Sequence, residues 1–184
     1  MRLYIGLVHY PVYNKNNQRI ASAITTFDLH DIARLARTYD VKRFFVITPL
    51  EDQQTLAQRV RRHWTKGYGA TYNRHRKEAI ELLKVVPSLE RAVNEIAEME
   101  GEAPLLIATD AGGQQDRTIS YEQARDIIED EMVVILIFGT AWGLDKAVMN
   151  QAEYILDPIT GRTNYNHLSV RTAAAITLDR LAGR

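Results

Sequence analysis

Short runs of apolar residues alternate along the chain with longer stretches of helical periodicity. The runs are rich in Val, Ile, Leu and Phe and do not alternate with polar residues, which is typical of strands that are covered on both faces of a sheet. They predict six strands: Leu3–His9, Arg43–Thr48, Leu82–Val86, Pro104–Thr109, Met132–Phe138 and Glu153–Leu156.

Between these runs, apolar residues recur at helical spacing. Two helices are predicted over Leu29–Tyr39 and Asp52–Lys66. Two more begin after capping residues, which are Ser88 and Ser120 with Gln123 as a capping box, and a last helix starts near Ser169. Strands alternating with helices predict a mostly parallel sheet with helices on both faces, so residues 1–184 are expected to form one α/β domain with a Rossmann-like N-terminal part.

Composition narrows the class of protein. The 184 residues include 23 Lys and Arg against 23 Asp and Glu, so the chain is not uniformly basic. It has no cysteine, which excludes disulfides and cysteine-bound zinc, and its five histidines lack metal-ligand spacing, so no metal is expected. The longest apolar runs are too short for a signal peptide or a membrane helix. We expect a cytoplasmic protein with no membrane partner.

The segments that follow the strands indicate where a ligand binds, because open α/β sheets bind ligands beyond the carboxyl ends of their strands. No G-x-G-x-x-G follows the first strand and no phosphate-binding P-loop occurs, which disfavours a dinucleotide-binding Rossmann enzyme. Glycine-rich loops come late instead, at Thr109–Gly113, Gly139–Leu144 and Asp157–Gly161. Each alone is compatible with an ordinary strand-to-helix turn, whereas the three together favour one composite pocket built from backbone groups.

Two of these segments resemble a known superfamily. Phe138–Leu144 (FGTAWGL) is similar to the glycine-rich motif of the SPOUT methyltransferases, and Asn166–Ala175 (NHLSVRTAAA) is similar to their C-terminal motif. Ile20–Asp28 stands where the family has its N-terminal motif but departs from its usual form at Thr25 and Thr26. The overall pattern is most similar to a bacterial RNA methyltransferase family that also occurs fused to a tRNA guanine-N1 methyltransferase.

The resemblance implies a SPOUT fold with a C-terminal trefoil knot, S-adenosylmethionine as cofactor, and a homodimer. It also implies that the three loops bind the cofactor. Carried over by motif, the contacts are Thr109, Asp110, Ala111, Phe138, Gly139, Thr140, Trp142, Gly143, Leu144, Leu156, Pro158, His167, Leu168, Ser169 and Ala173.

Candidate catalytic residues lie at the start of the first long helix. Asp28, His30 and Arg34 are candidates for orienting the acceptor or removing its proton, with Arg34 matching an arginine that some SPOUT families use. Alternatively, Asp28 and Asp31 only favour the helix N-terminus electrostatically. His167 is equally compatible with a base at the cofactor pocket and with a loop-structuring role.

The neutral total charge conceals one basic segment. Residues 58–77 contain no acidic residue, and Trp64, Tyr68 and Tyr72 are interleaved with the cations. Cations neutralise phosphates and aromatic faces stack on unpaired bases, so the segment is predicted to contact RNA. A solvated basic helix with Trp64 in the core is the alternative. The predicted RNA-binding residues are Arg59, Arg61, Arg62, Lys66, Arg74, Arg76 and Lys77.

These features together predict an S-adenosylmethionine-dependent methyltransferase that acts on tRNA or rRNA. The methyl group would move to a base or ribose by in-line displacement, in which positioning of the two reactants does most of the work. The alternative is a catalytically idle RNA-binding or assembly domain that retains the knotted fold.

Overall fold

The computed structural model describes residues 1–112 and 116–184. Gly113 of the predicted first loop therefore lies outside the described residues. Numbered in chain order, the described elements are β1 (Leu3–Val8), β2 (Val12–Tyr13), β3 (Arg19–Ile20), α1 (Thr26–Thr38), β4 (Arg43–Ile47), α2 (Glu51–Thr65), α3 (Tyr68–Tyr72), α4 (Arg74–Ile80), β5 (Leu83–Val86), α5 (Leu89–Glu100), β6 (Leu105–Thr109), β7 (Thr118–Ile119), α6 (Tyr121–Glu129), β8 (Val134–Gly139), α7 (Lys146–Met149), β9 (Tyr154–Leu156) and α8 (Val170–Ala182).

Seven strands form one sheet in the order β5-β4-β1-β8-β6-β9-β7, and all of the recorded pairs are parallel. The six predicted strands are confirmed. The strand β7 and the antiparallel hairpin of β2 and β3 were not predicted, because each has only two residues and shows no apolar run.

Helices pack on both faces of the sheet, as predicted. One apolar core joins residues of α1, α4, α6 and α8 to one side of the strands, and a second core joins α5 and α7 to the other side. The predicted caps Ser88 and Ser120 are confirmed, since each accepts a backbone hydrogen bond at a helix start, and Gln123 completes the capping box. The last helix starts after Ser169 as predicted, and Ser169 caps it. Helix α1 begins three residues earlier than predicted because Thr25 caps it.

The later part of the chain crosses from one face of the sheet to the other. Helices α6 and α8 pack on one face and α7 on the opposite face. The trefoil knot itself stays a prediction.

Within the described part of the chain, none of the helices is long and apolar enough to cross a membrane.

Candidate functional site

Three loops leave the sheet at the carboxyl ends of the neighbouring strands β8, β6 and β9. The register pairs Ala108 with Ile137 and Thr109 with Leu156, so the three strands end at about the same height. The structure therefore brings Thr109–Ala111, Gly139–Leu144 and the segment after Leu156 to one edge, where the sequence predicts a composite pocket.

The loop after β8 makes a tight turn that depends on glycine. A Cβ on Gly139 would lie 2.8 Å from the Leu144 nitrogen, so a side chain there would collide with the loop's own backbone. Ala141 and Gly143 have positive φ values of 52° and 101°. A Cβ on Gly143 would meet nothing within 4 Å, and the Trp142 side chain is 65% exposed. The turn thus presents backbone and an aromatic ring to the open side.

The hairpin β2–β3 holds this loop in place. The Trp142 amide donates to the Tyr13 carbonyl at 2.9 Å, and the Tyr13 amide donates to the Gly143 carbonyl at 3.0 Å. Arg19 donates two hydrogen bonds of 2.9 Å to Asp145, which is buried and whose pKa is lowered, chiefly by the bond from Arg19. Sequence reasoning missed this hairpin, although the polar run Asn14–Asn17 is a turn signal.

A buried polar chain links the first strand to the same loop. His9, which is fully buried, contacts the Ser22 hydroxyl through Nδ1 at 3.0 Å, and Ser22 contacts the Thr140 hydroxyl at 2.5 Å. Thr140 in turn donates to the Val8 carbonyl at 3.0 Å. Burial lowers the pKa of His9 to about 4, and its Nε2 atom has no hydrogen-bond partner among the described residues. His9 is therefore a neutral imidazole at physiological pH.

The predicted catalytic residue Asp28 belongs to a charged cluster between α1 and α8. Arg171 of α8 contacts the Asp28 carboxylate at 3.2 Å and the Asp31 carboxylate at 2.9 Å. Arg34 lies 3.8 Å from Asp31 and is largely exposed. The cluster borders an open cleft of about 470 Å³ whose lining includes Arg34, Arg171 and Ser169. Sequence reasoning missed Arg171, because nothing local pairs it with α1.

His30 lies apart from this cluster. Its ring packs edge-on against Trp64 of α2, with the centroids 5.5 Å apart. Its pKa is lowered, mainly by burial and then by the charge of Arg76. The structure thus places Arg34 in the lining of the cleft, pairs Asp28 with Arg171 of the same lining, and turns His30 toward the basic segment.

The segment between β9 and α8 returns to the first loop. The Asn166 amide donates to the Ala111 carbonyl at 2.8 Å, which joins two of the predicted cofactor loops. His167 is exposed and packs edge-on against Tyr165 at 5.3 Å, and Leu168 is 43% exposed. Pro158 and Ala173 are half-buried.

The seven predicted RNA-binding side chains differ in how they are engaged. Four have partners within the chain: Arg61 donates to the Leu83 carbonyl, Arg74 and Lys77 pair with Glu78 and Glu81, and Arg76 lies over the Trp64 ring. Trp64 packs against the core, as the alternative interpretation predicted. The side chains of Arg59, Arg62 and Lys66 are exposed, and no partner is recorded for them in the described ranges.

In residues 1–112 and 116–184, no group of three or more His, Asp or Glu side chains is arranged to hold a metal ion.

The chain is similar to known methyltransferases over nearly its whole length. A family described as SAM-dependent RNA methyltransferase matches residues 2–183. A tRNA (guanine-N(1)-)-methyltransferase of Oleidesulfovibrio alaskensis is 43% identical over 181 residues, which are 98% of this chain and 42% of that protein. An uncharacterized protein of Aquifex aeolicus is 37% identical over 99% of this chain and 89% of its own.

The fold has relatives among solved structures too. The SpoU methyltransferase AviRb of Streptomyces viridochromogenes aligns with a TM-score of 0.61 at 15% identity, over 98% of this chain and 58% of AviRb. The expected resemblance is thus confirmed at the level of the fold. The chain spans less than half the length of the tRNA methyltransferase it matches.

Proposed function

The chain belongs to the family of S-adenosylmethionine-dependent RNA methyltransferases, and we propose that it methylates a base or ribose of tRNA. The observation that carries the proposal is the convergence of three loops at the carboxyl edge of β8, β6 and β9, in a chain that the family matches over residues 2–183. The choice of tRNA over rRNA is supported by the name of the relative from Oleidesulfovibrio alaskensis.

The loop edge has the chemistry that an adenosine-containing cofactor requires. Adenosine needs backbone donors and acceptors for its base edges and apolar surface for its ring. Two backbone hydrogen bonds anchor the Gly139–Leu144 turn to the hairpin, and Trp142 and Leu168 offer exposed apolar surface. We propose that these loops, with Thr109–Ala111, Leu156 and Pro158, bind the cofactor. S-adenosylmethionine supplies an electrophilic methyl group on its sulfonium.

The charged cleft between α1 and α8 is the proposed acceptor side. Arg34 presents a largely exposed guanidinium suited to a phosphate. Asp28 and Asp31 hold Arg171 beside it through contacts of 3.2 and 2.9 Å. We assign Asp28 a positioning role, and we assign Arg34 to contact with the RNA. His30 lies on α1 and faces the basic segment, where its ring packs against Trp64.

The oligomeric state and location follow from the same proposal. Phe27 is 67% exposed, and its ring lies 5.6 Å from the guanidinium of Arg171, so α1 presents an apolar side chain to solvent beside α8. We propose a homodimer in which the second copy covers Phe27 and leaves the cleft open to the RNA, and a cytoplasmic location, where the RNA acceptor is found.

Calorimetric titration with S-adenosylmethionine tests the cofactor site directly. We expect saturable binding to the wild type and at least a 10-fold weaker affinity in Gly139→Ala, because the added Cβ would collide with the Leu144 backbone. Glu98→Ala is the control, because Glu98 is exposed near the C-terminal end of α5 and lies outside the three loops. An absence of saturable binding to the wild type would contradict the proposed function.

Transfer of radiolabelled methyl groups to bulk tRNA or rRNA then separates the two acceptors. Incorporation into rRNA alone would overturn the choice of tRNA. Cofactor binding without transfer to any RNA would favour an idle RNA-binding domain.

A further inference from the structure

We infer that Arg59, Arg62 and Lys66, together with the stacked rings of Tyr68 and Tyr72, form a platform for an unpaired stretch of RNA. This inference rests on the proposed function, which supplies RNA as the partner. It goes further by naming the part of the basic segment that meets RNA and the kind of RNA structure that fits. These five residues are called the platform below.

Two cations of the platform, Arg59 and Arg62, share one stripe of α2, and Lys66 is the C-cap that directly follows this helix. Their spacing is i, i+3 and i+7, and the three positions span about 10 Å at 1.5 Å per residue. All three are exposed, and within the described ranges no ion pair is recorded for them. Their charges are therefore available to phosphates, whereas Arg74, Arg76 and Lys77 are already engaged inside the chain.

A shallow basic depression of about 200 Å³ lies on the same helix. It is lined by Gln58, Arg61, Arg62, Thr65 and Lys66, a set that contains hydrogen-bond donors and no carboxylate. An RNA phosphate is an anion with several acceptor oxygens, which matches this set of donors. The depression therefore marks where the RNA backbone would be held.

The two tyrosines lie just beyond the last cation of the platform. Their rings stack with centroids 5.8 Å apart and 24° between the planes, yet Tyr68 is 74% and Tyr72 73% exposed. Neither ring packs into the core. Two large aromatic faces that are held parallel and left in solvent suit stacking with nucleobases.

The position of the tyrosines is fixed by the glycine between them. A Cβ on Gly69 would lie 2.6 Å from the Trp64 ring, so only glycine lets α3 approach that closely. Trp64 is itself held between the guanidinium of Arg76, 4.7 Å from the ring, and the rings of His30 and His63. Tyr68 and Tyr72 are thus positioned by the packing of α3 against the Trp64 ring, close in sequence to the cations.

This combination favours an unpaired strand over a double helix. In a duplex the base faces are already stacked on one another, and the tyrosines would gain no contact from them. The cations, in contrast, bind phosphates of either form. Preference for unpaired RNA is therefore expected to depend on the tyrosine rings, and general affinity and its salt dependence on the cations.

Fluorescence anisotropy with one labelled RNA of about 12 nucleotides, used alone and annealed to its complement, tests the platform. The full chain is compared with Tyr68→Ala/Tyr72→Ala, Tyr68→Phe/Tyr72→Phe and Arg62→Ala/Lys66→Ala. Arg91→Ala is the control, because Arg91 is an exposed arginine on α5, which packs on the other sheet face. Thermal unfolding confirms that each variant is folded.

We expect the wild type to bind the single strand more tightly than the duplex. The alanine pair should weaken single-strand binding about 10-fold and leave duplex binding within about 2-fold, while the phenylalanine pair keeps wild-type affinity. Arg62→Ala/Lys66→Ala should weaken both forms and reduce the slope of log affinity against log salt by about 1.4 for the single strand. Arg91→Ala should change neither.

Equal affinity for the single strand and the duplex would overturn the inference, as would unchanged binding by the alanine pair. Binding to anionic lipid vesicles in place of RNA would overturn it too. Cofactor titration of the same variants keeps the two proposals apart. If S-adenosylmethionine binds and tRNA is methylated at wild-type kcat/KM in the alanine pair, the platform is refuted and the proposed function stands.

Discussion

Replacing His9 with Asn should make the fold less sensitive to acid. His9 is fully buried, and burial lowers its pKa from the ordinary 6.5 to about 4. The unfolded chain therefore binds a proton at a pH where the folded chain does not. Above pH 6.5 neither state of His9 is protonated, so the residue has no effect on the pH dependence of stability. As the pH falls from 6.5 to about 4, the unfolded chain binds the proton first, and the free energy of unfolding decreases.

The size of the effect follows from the separation of the two pKa values. At about 1.4 kcal/mol per pKa unit, the shift of His9 from 6.5 to about 4 lowers the free energy of unfolding by about 3 kcal/mol across this range. Asn keeps a polar atom near the position of Nδ1, which contacts Ser22 at 3.0 Å, and it does not titrate. Any stability that the variant loses because Asn fills the His9 site less well is the same at every pH.

Urea unfolding from pH 7.5 to 4 measures the effect. The stability difference between the wild type and His9→Asn should shrink by about 3 kcal/mol as the pH falls, since the other titrating groups cancel in the comparison. His75→Asn is the matched control, because His75 is exposed on α4. A stability difference that stays constant with pH would refute the reasoning, and so would an equal change in the control.

The remaining predictions concern the loop anchor and a helix cap. Asp145→Asn removes the charge that accepts two hydrogen bonds from Arg19, and we expect it to lower the free energy of unfolding by about 2 kcal/mol near neutral pH. Because the pKa of Asp145 in the folded protein is lowered from 3.8, this loss of stability should vanish as the pH falls through that pKa. Asp126→Asn, at an exposed site on α6, is the control and should show neither effect in the same urea titrations. Ser120→Ala should cost about 1 kcal/mol in thermal unfolding, because Ser120 accepts from the Gln123 amide at the start of α6, and Ser120→Asp should restore the cap. A Ser120→Ala variant as stable as the wild type would contradict the capping role.

The sequence predicts what depends on local patterns. The six strands are recognisable because each is a short apolar run, and the capping box of Ser120 and Gln123 lies within four residues. The three late loops could be placed at one edge because their strands are parallel and glycines follow them. The short hairpin of β2 and β3 escaped prediction since two-residue strands carry no periodicity.

Long-range pairs could not be predicted, and several of them shape the candidate site. Arg171 and Asp31 are 140 residues apart, and Arg19 and Asp145 are 126 apart, so no local pattern connects them. His30 was grouped with Asp28 by closeness in sequence, but the helix turns the two side chains in different directions. The aromatic residues of the basic segment were recognisable, whereas their stacking needed the helices α3 and α4.

The hairpin anchor also constrains the order of folding. Tyr13 and Arg19 can hold the loop at residues 142–145 only after β8 has paired with β1, which joins positions about 130 residues apart. Closing such a long loop is entropically costly and slow, so we expect the carboxyl edge of β8, β6 and β9 to form among the last parts of the sheet. During synthesis, β1 must wait with one side unpaired until most of the chain has been made. Loss of the hairpin would then delay or prevent the closing of this edge, even though no predicted ligand contact lies within it.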